Sequence, residues 1–74
     1  MPMPNFRNIS SYDTIKVAEK LGYSVIRQKG SHIILKNNTG KILVIPQRRC
    51  LKMGTALQII KALGLTKEEF LKMI

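Results

Sequence analysis

From Tyr23 to Pro46 the chain reads YSVIRQKGSHIILKNNTGKILVIP, and this stretch decides the fold. Tyr23, Val25 and Ile26 favour a pleated, half-buried strand, so Tyr23 to Lys29 is predicted as the first one. Gly30 then serves as a hairpin-turn or bulge residue. Ser31 to Lys36 alternates, with His32, Ile34 and Lys36 on one face and Ile33 and Leu35 on the other. Asn37, Asn38, Thr39 and Gly40 form a strong turn signal, because Asn side chains bond nearby backbone and Gly accepts positive φ. Lys41 to Ile45 is a third, apolar strand closed by Pro46, which has no N–H to give a ladder. Two successive hairpins predict an antiparallel sheet.

Helical signals flank it on both sides. Ser10 with Asp13 three residues later makes a capping box, in which each side chain satisfies a backbone N–H of the other. Ile15, Ala18 and Leu21, widened by Tyr12, form the predicted apolar stripe of this first helix, and Gly22 stops it. After the strands, residues 47–53 are a basic loop carrying Arg48, Arg49 and Lys52. A second helix is predicted from Gly54 or Thr55 to Leu63, with Leu57, Ile60 and Leu63 inward and Gly64 beyond its end. Thr66 and Glu69 repeat the capping box and open a short final helix through Phe70, Leu71 and Ile74. The expected class is α+β: helix, three-stranded antiparallel sheet, helix, short C-terminal helix. Helices on one sheet face leave the other free for a ligand. Residues 1–9 are expected to be a flexible arm and residues 10–74 a single domain.

Composition narrows the partners. The chain has 74 residues, 13 basic against four acidic, and a formal net charge of +9. A chain this short buries only about 60% of its unfolded surface, so its core is thin. The segment from Lys20 to Lys67 contains Lys20, Arg27, Lys29, Lys36, Lys41, Arg48, Arg49, Lys52, Lys61 and Lys67 and no Asp or Glu. Such a charge points to nucleic acid, an acidic protein or an anionic surface as partner. No apolar run of about 18 residues is present, which argues against a membrane span. Nothing apolar follows Met1 to Asn5, so the start does not read as a signal peptide. One cysteine, Cys50, precludes an internal disulfide and suits a reducing cytoplasm. One Cys and one His exclude a Cys/His zinc site within one chain. The acids Asp13, Glu19, Glu68 and Glu69 lie outside the basic middle, where two-metal phosphodiester chemistry would need them. No cofactor or metal is expected.

The remaining chemistry centres on His32, the only histidine. An imidazole changes charge near neutral pH and serves as base or acid. RNA carries its own nucleophile, the 2′-OH, so a single proton acceptor beside a phosphate is enough to start cleavage. Lys29 has two readings, a solvated hairpin lysine or a cation offsetting charge on the phosphorane. Gly30 lets backbone come close to a ligand, and Ser31 reads as a turn or positioning residue rather than a nucleophile. Arg27, Lys36, Lys41, Arg48, Arg49 and Lys52 make a candidate phosphate footprint, with Gly30 and Ser31 at its centre. Each alone is an ordinary surface charge; their grouping without acids makes a surface. The four aromatics, Phe6, Tyr12, Tyr23 and Phe70, are too few for a base-stacking sheet.

Three sets of residues carry a resemblance. The first runs Leu21, Gly22, Tyr23, Val25, Arg27, Gln28, Lys29, Gly30, Ser31 and His32. The second is Ile45 and Pro46, then Gly54 and Thr55. The third is Ile59, Ile60, Lys61, Gly64, Leu65 and Thr66, leading to Glu68, Glu69 and Phe70. With these identities and spacings the chain resembles the HicA (YcfA-like) toxin family over roughly Ile9 to Phe70. The resemblance implies a double-stranded-RNA-binding-like fold and a ribosome-independent mRNA-cleaving toxin of a type II toxin–antitoxin system. It also implies a HicB-type antitoxin as partner, and it places the family's catalytic histidine on His32. Family members often carry a second histidine after the signature or after the proline; here those places hold Ile33, Gln47 and Arg48. Ala56 stands at the third position of the usual Gly-Thr-Leu.

Two other functions fit the same residues. One is a non-catalytic RNA-binding module in which His32 merely touches backbone. The other is a basic partner in a DNA-bound autoregulatory complex that mainly receives an acidic antitoxin. Growth arrest on expression, relieved by His32→Ala, separates the first reading from these.

Overall fold

Ser10 and Thr66 start two of the three helices in the way their spacing dictates. The computed structural model describes residues 9–74. Helix α1 spans Ser11–Lys20, and the Asp13 N–H donates to Ser10 Oγ at 3.1 Å while the Ser10 N–H donates to Asp13 Oδ2 at 3.1 Å. Helix α3, Lys67–Met73, opens on the same reciprocal pair between Thr66 and Glu69, at 3.1 and 2.9 Å. Helix α2 lies between them at Met53–Ala62, beginning just before the expected Gly54 or Thr55. The strands are β1 (Ser24–Lys29), β2 (His32–Lys36) and β3 (Ile42–Pro46). They form one antiparallel sheet in the order β1-β2-β3. The chain is α+β with the predicted element order, compatible with a double-stranded-RNA-binding-like fold.

Strand β2 buries Ile33 and Leu35 and leaves His32 and Lys36 exposed, as its alternation requires. Across it, β3 buries Leu43 and Ile45. These four side chains meet Val17, Ala18, Ile59, Ile60 and Phe70 in one core beneath the sheet. Burying a side chain such as Phe70, which is 0% exposed, contributes about 1.5–3 kcal/mol. Strand β1 forms one edge and is exposed along all six residues. Tyr23, expected at its start, is instead a buried residue just before it, with its N–H on the Ala18 carbonyl at 3.0 Å.

The inward faces of two helices differ from the expected stripes. In α1 the buried positions are Ser11, Thr14, Val17 and Ala18, while Tyr12 and Leu21 face solvent and Ile15 is half-buried. Polar Ser11 and Thr14 can be buried because both hydroxyls are satisfied: Ser11 Oγ donates to the Arg48 carbonyl at 3.0 Å and Thr14 Oγ1 to the Ser11 carbonyl at 2.7 Å. Short side chains there let the loop after β3 lie against the helix. In α2 the buried set is Ala56, Ile59 and Ile60, with Leu57 and Leu63 only half-buried. Ala56 is 1% exposed and packs into the core.

The expected arm of residues 1–9 lies outside the described residues except for its last member. Ile9 is 2% exposed, and its carbonyl accepts the Leu51 N–H at 2.8 Å, so it belongs to the folded core.

Candidate functional site

Gly30 is where sequence becomes site. Lys29 and His32 are paired across the β1–β2 hairpin, leaving only Gly30 and Ser31 as the loop. Gly30 takes φ +59 while Ser31 stays at negative φ, the arrangement of a two-residue hairpin with glycine first. The tight turn places Lys29 and His32 directly opposite, with Cα atoms about 4.5–5.5 Å apart. On the far side His32 pairs with Pro46. Partners directly opposite share a face, so Lys29, His32 and Pro46 form the first row of the sheet's uncovered side.

Further rows follow from the same register. Arg27, Ile34 and Val44 form the second, and Ser24, Lys36 and Ile42 the third. A bulge at Ile26 makes this possible. Without the extra residue Val25 would share the face of Arg27; with it, Val25 pairs with inward-facing Leu35 while Arg27 and Lys29 stay on the open side. The open face is therefore mixed, with cations beside the half-exposed Ile42 and Val44.

The hairpin tip is braced by two glutamines that sequence reasoning did not single out as a pair. Gln28 Nε2 donates to the Gly30 carbonyl at 3.1 Å and to Gln47 Oε1 at 2.7 Å. The Gln47 N–H donates to the Ser31 carbonyl at 2.7 Å. Nothing local flags this brace, since the two glutamines are 19 residues apart and meet only through the register. The imidazole of His32 and the ammonium of Lys29 make no hydrogen bond to any described residue.

The other expected contacts divide by position. Arg48 and Arg49 follow Gln47 directly and are exposed, and the Arg48 backbone is fixed on α1: its N–H donates to Ser11 Oγ at 3.1 Å and its carbonyl accepts the Ser11 N–H at 3.0 Å. Lys52 is exposed at the start of α2. Lys36 lies four residues along β2 from His32, about 13 Å away. Lys41 is beyond the next turn, where its ammonium donates to the Ala62 carbonyl at 2.7 Å and so caps the C-terminus of α2. These two are not brought to His32. Of the acids, Asp13 and Glu69 are engaged in helix caps. Among the described residues no three His, Cys, Asp or Glu groups are clustered to hold a metal ion.

A family described as the HicA toxin of bacterial toxin–antitoxin systems matches residues 11–65. The chain belongs to the HicA toxin family. The matched span runs from the first residue of α1 through the Gly30 hairpin, the braced loop and α2, so it contains every element that builds the open face. Among curated proteins, none matches the chain closely enough to stand as a named relative. As a HicA family member the chain has a toxin's role, with an antitoxin as its counterpart. No helix among the described residues is long and apolar enough to cross a membrane.

Proposed function

We propose that this HicA toxin is a metal-independent endoribonuclease that cleaves mRNA in the cytoplasm with His32 as its single catalytic histidine. The observation that carries the reading is the Lys29–His32 pair, set opposite each other on an uncovered sheet face with both side chains unengaged by described residues. His32 takes the proton of an RNA 2′-OH, and the freed oxygen attacks the adjacent phosphorus. Lys29 offsets the negative charge that grows on the phosphorane oxygens. The bond to the 5′-oxygen then breaks, that oxygen takes a proton from water, and the hydroxide left takes back the proton held by His32. The products are a 2′,3′-cyclic phosphate and a 5′-hydroxyl. One imidazole fills one role at a time, so turnover is slow.

Arg27, Arg48 and Arg49 hold phosphates beside this pair, and such contacts position the strand without reading its bases. The partner antitoxin is of the HicB type, acidic, and covers the face bearing His32. A +9 chain with a thin core gains both charge neutralisation and buried area from that contact.

The bare imidazole favours a second reading, in which the same face binds RNA without cutting it. End-group analysis separates the two. Purified toxin incubated with RNA in excess EDTA should leave cyclic or 3′-phosphate ends; 5′-phosphate ends, or no cleavage, would overturn the proposal.

A further inference from the structure

We propose that a cleft beside the hairpin tip is a subsite for one unpaired nucleotide of the RNA, its base against the Tyr12 ring and its phosphate between Arg48 and Arg49. This rests on the RNA-cleaving reading and extends it. The cleft, about 340 Å³, lies between the start of α1 and the loop after β3 and is lined by Tyr12, Gln47, Arg48 and Arg49 among others. Its volume falls at the lower end of the range for small-ligand sites, which suits a single nucleotide.

Four observations converge there. Tyr12 is 66% exposed, whereas the other aromatics among the described residues, Tyr23 and Phe70, are buried. Apart from the His32 imidazole it is the one described ring a base can reach, and base–aromatic stacking needs no sequence match because every base has a π face. Lys16, which does not line the cleft, holds its ammonium over one face of the Tyr12 ring, 5.5 Å from the centroid, so a base stacks on the other face. The loop bearing those arginines is held in place by the Ser11–Arg48 hydrogen bonds, so the backbone framing the cleft is fixed. Finally, Gln47 lines the cleft and is bonded to Ser31, next to His32. Arg48 lies two residues from Pro46, the cross-strand partner of His32, so at most about 7 Å of chain separates them.

Two amides at the start of α1 are unavailable to this site. The N–H groups of Ser11 and Asp13 are already taken by the Arg48 carbonyl and Ser10 Oγ. Recognition comes from the ring and the cations. A strand whose scissile phosphate sits between Lys29 and His32 passes Gln47 and enters the cleft within a nucleotide or two. A base can stack on Tyr12 only when it is out of a helix, so the subsite selects single-stranded RNA.

The test uses full-length protein carrying His32→Ala, which binds without cutting, and a fluorescein-labelled single-stranded oligoribonucleotide with its duplex as control. Tyr12→Ala should weaken single-strand binding about tenfold and leave duplex binding unchanged. Tyr12→Leu, which keeps bulk but lacks the ring, should show the same loss, and Tyr12→Phe should retain wild-type affinity. Equal loss for single strand and duplex, no loss in either ring-less variant, or a loss in Tyr12→Phe as large as in Tyr12→Leu would overturn the subsite alone. If the His32→Ala protein binds neither oligonucleotide, the RNA reading falls and the subsite with it.

Discussion

The two hairpin ends of the sheet carry similar residues and do opposite things. At the Asn37–Gly40 turn, Asn37 Oδ1 accepts hydrogen bonds from the Thr39 N–H, the Thr39 hydroxyl and the Lys41 N–H at 2.8–3.0 Å. The Lys41 ammonium then caps α2 through the Ala62 carbonyl. Of the cations at that end only Lys36, just before the turn, is left exposed with its side chain bonded to no described residue. At the Gly30–Ser31 turn the glutamine brace satisfies backbone, yet Lys29 and His32 are bonded to no described residue. A count of basic residues treats both ends alike. What separates them is that Lys41 has a structural role in the fold, whereas only the Gly30–Ser31 end sets an imidazole beside an unengaged cation.

Substitutions at the two ends should make the contrast measurable. The largest effect belongs to His32→Ala, which should lower RNA cleavage at least about a hundredfold, the scale of a lost acid–base group. Its thermal stability should stay within about 0.5 kcal/mol of wild type, because the side chain is exposed. A stability loss several times larger would mark a structural histidine and break the comparison.

Gly30→Ala forces an L residue to φ +59 and should cost about 1–2 kcal/mol in denaturant melts. It should also lower cleavage, because the turn sets Lys29 opposite His32. Asn37→Ala removes the hydrogen bonds of the other turn and should cost about 1 kcal/mol while leaving cleavage untouched. If the two variants behaved alike in the cleavage assay, hairpin geometry would not control the chemistry.

Smaller effects sharpen the footprint. Replacing Arg48 and Arg49 together by Ala should flatten the slope of log affinity against log salt by about two, one for each lost phosphate contact. Lys41→Ala should leave that slope alone and lower stability by about 0.3–1 kcal/mol through the lost helix cap. A slope change at Lys41 would return it to the RNA surface.

How far these features were legible in sequence follows from their range. Both capping boxes, the alternation of β2 and the Asn37–Gly40 turn depend on neighbours within four residues, and the structure contains each of them. The Lys29–His32 pairing follows from Gly30 in the same way. The buried stripe of α1 was not legible, because Ser11 and Thr14 become core residues only once the loop at Arg48 lies on them. Local spacing turns Tyr12 inward for the same reason, and so conceals the cleft it lines. The bulge at Ile26, the Gln28–Gln47 brace and the Lys41 cap all arise from tertiary register, which no local periodicity encodes.

The claim that an unengaged imidazole uses the RNA's own hydroxyl can be tested on one substrate atom. An oligoribonucleotide with a single 2′-deoxy substitution at the mapped cut position, incubated with purified toxin in excess EDTA, removes the nucleophile and leaves everything else in place. The expected result is loss of cleavage at that position, with cutting of the all-ribose control retained. Efficient cleavage of the deoxy substrate at the same bond would contradict the account.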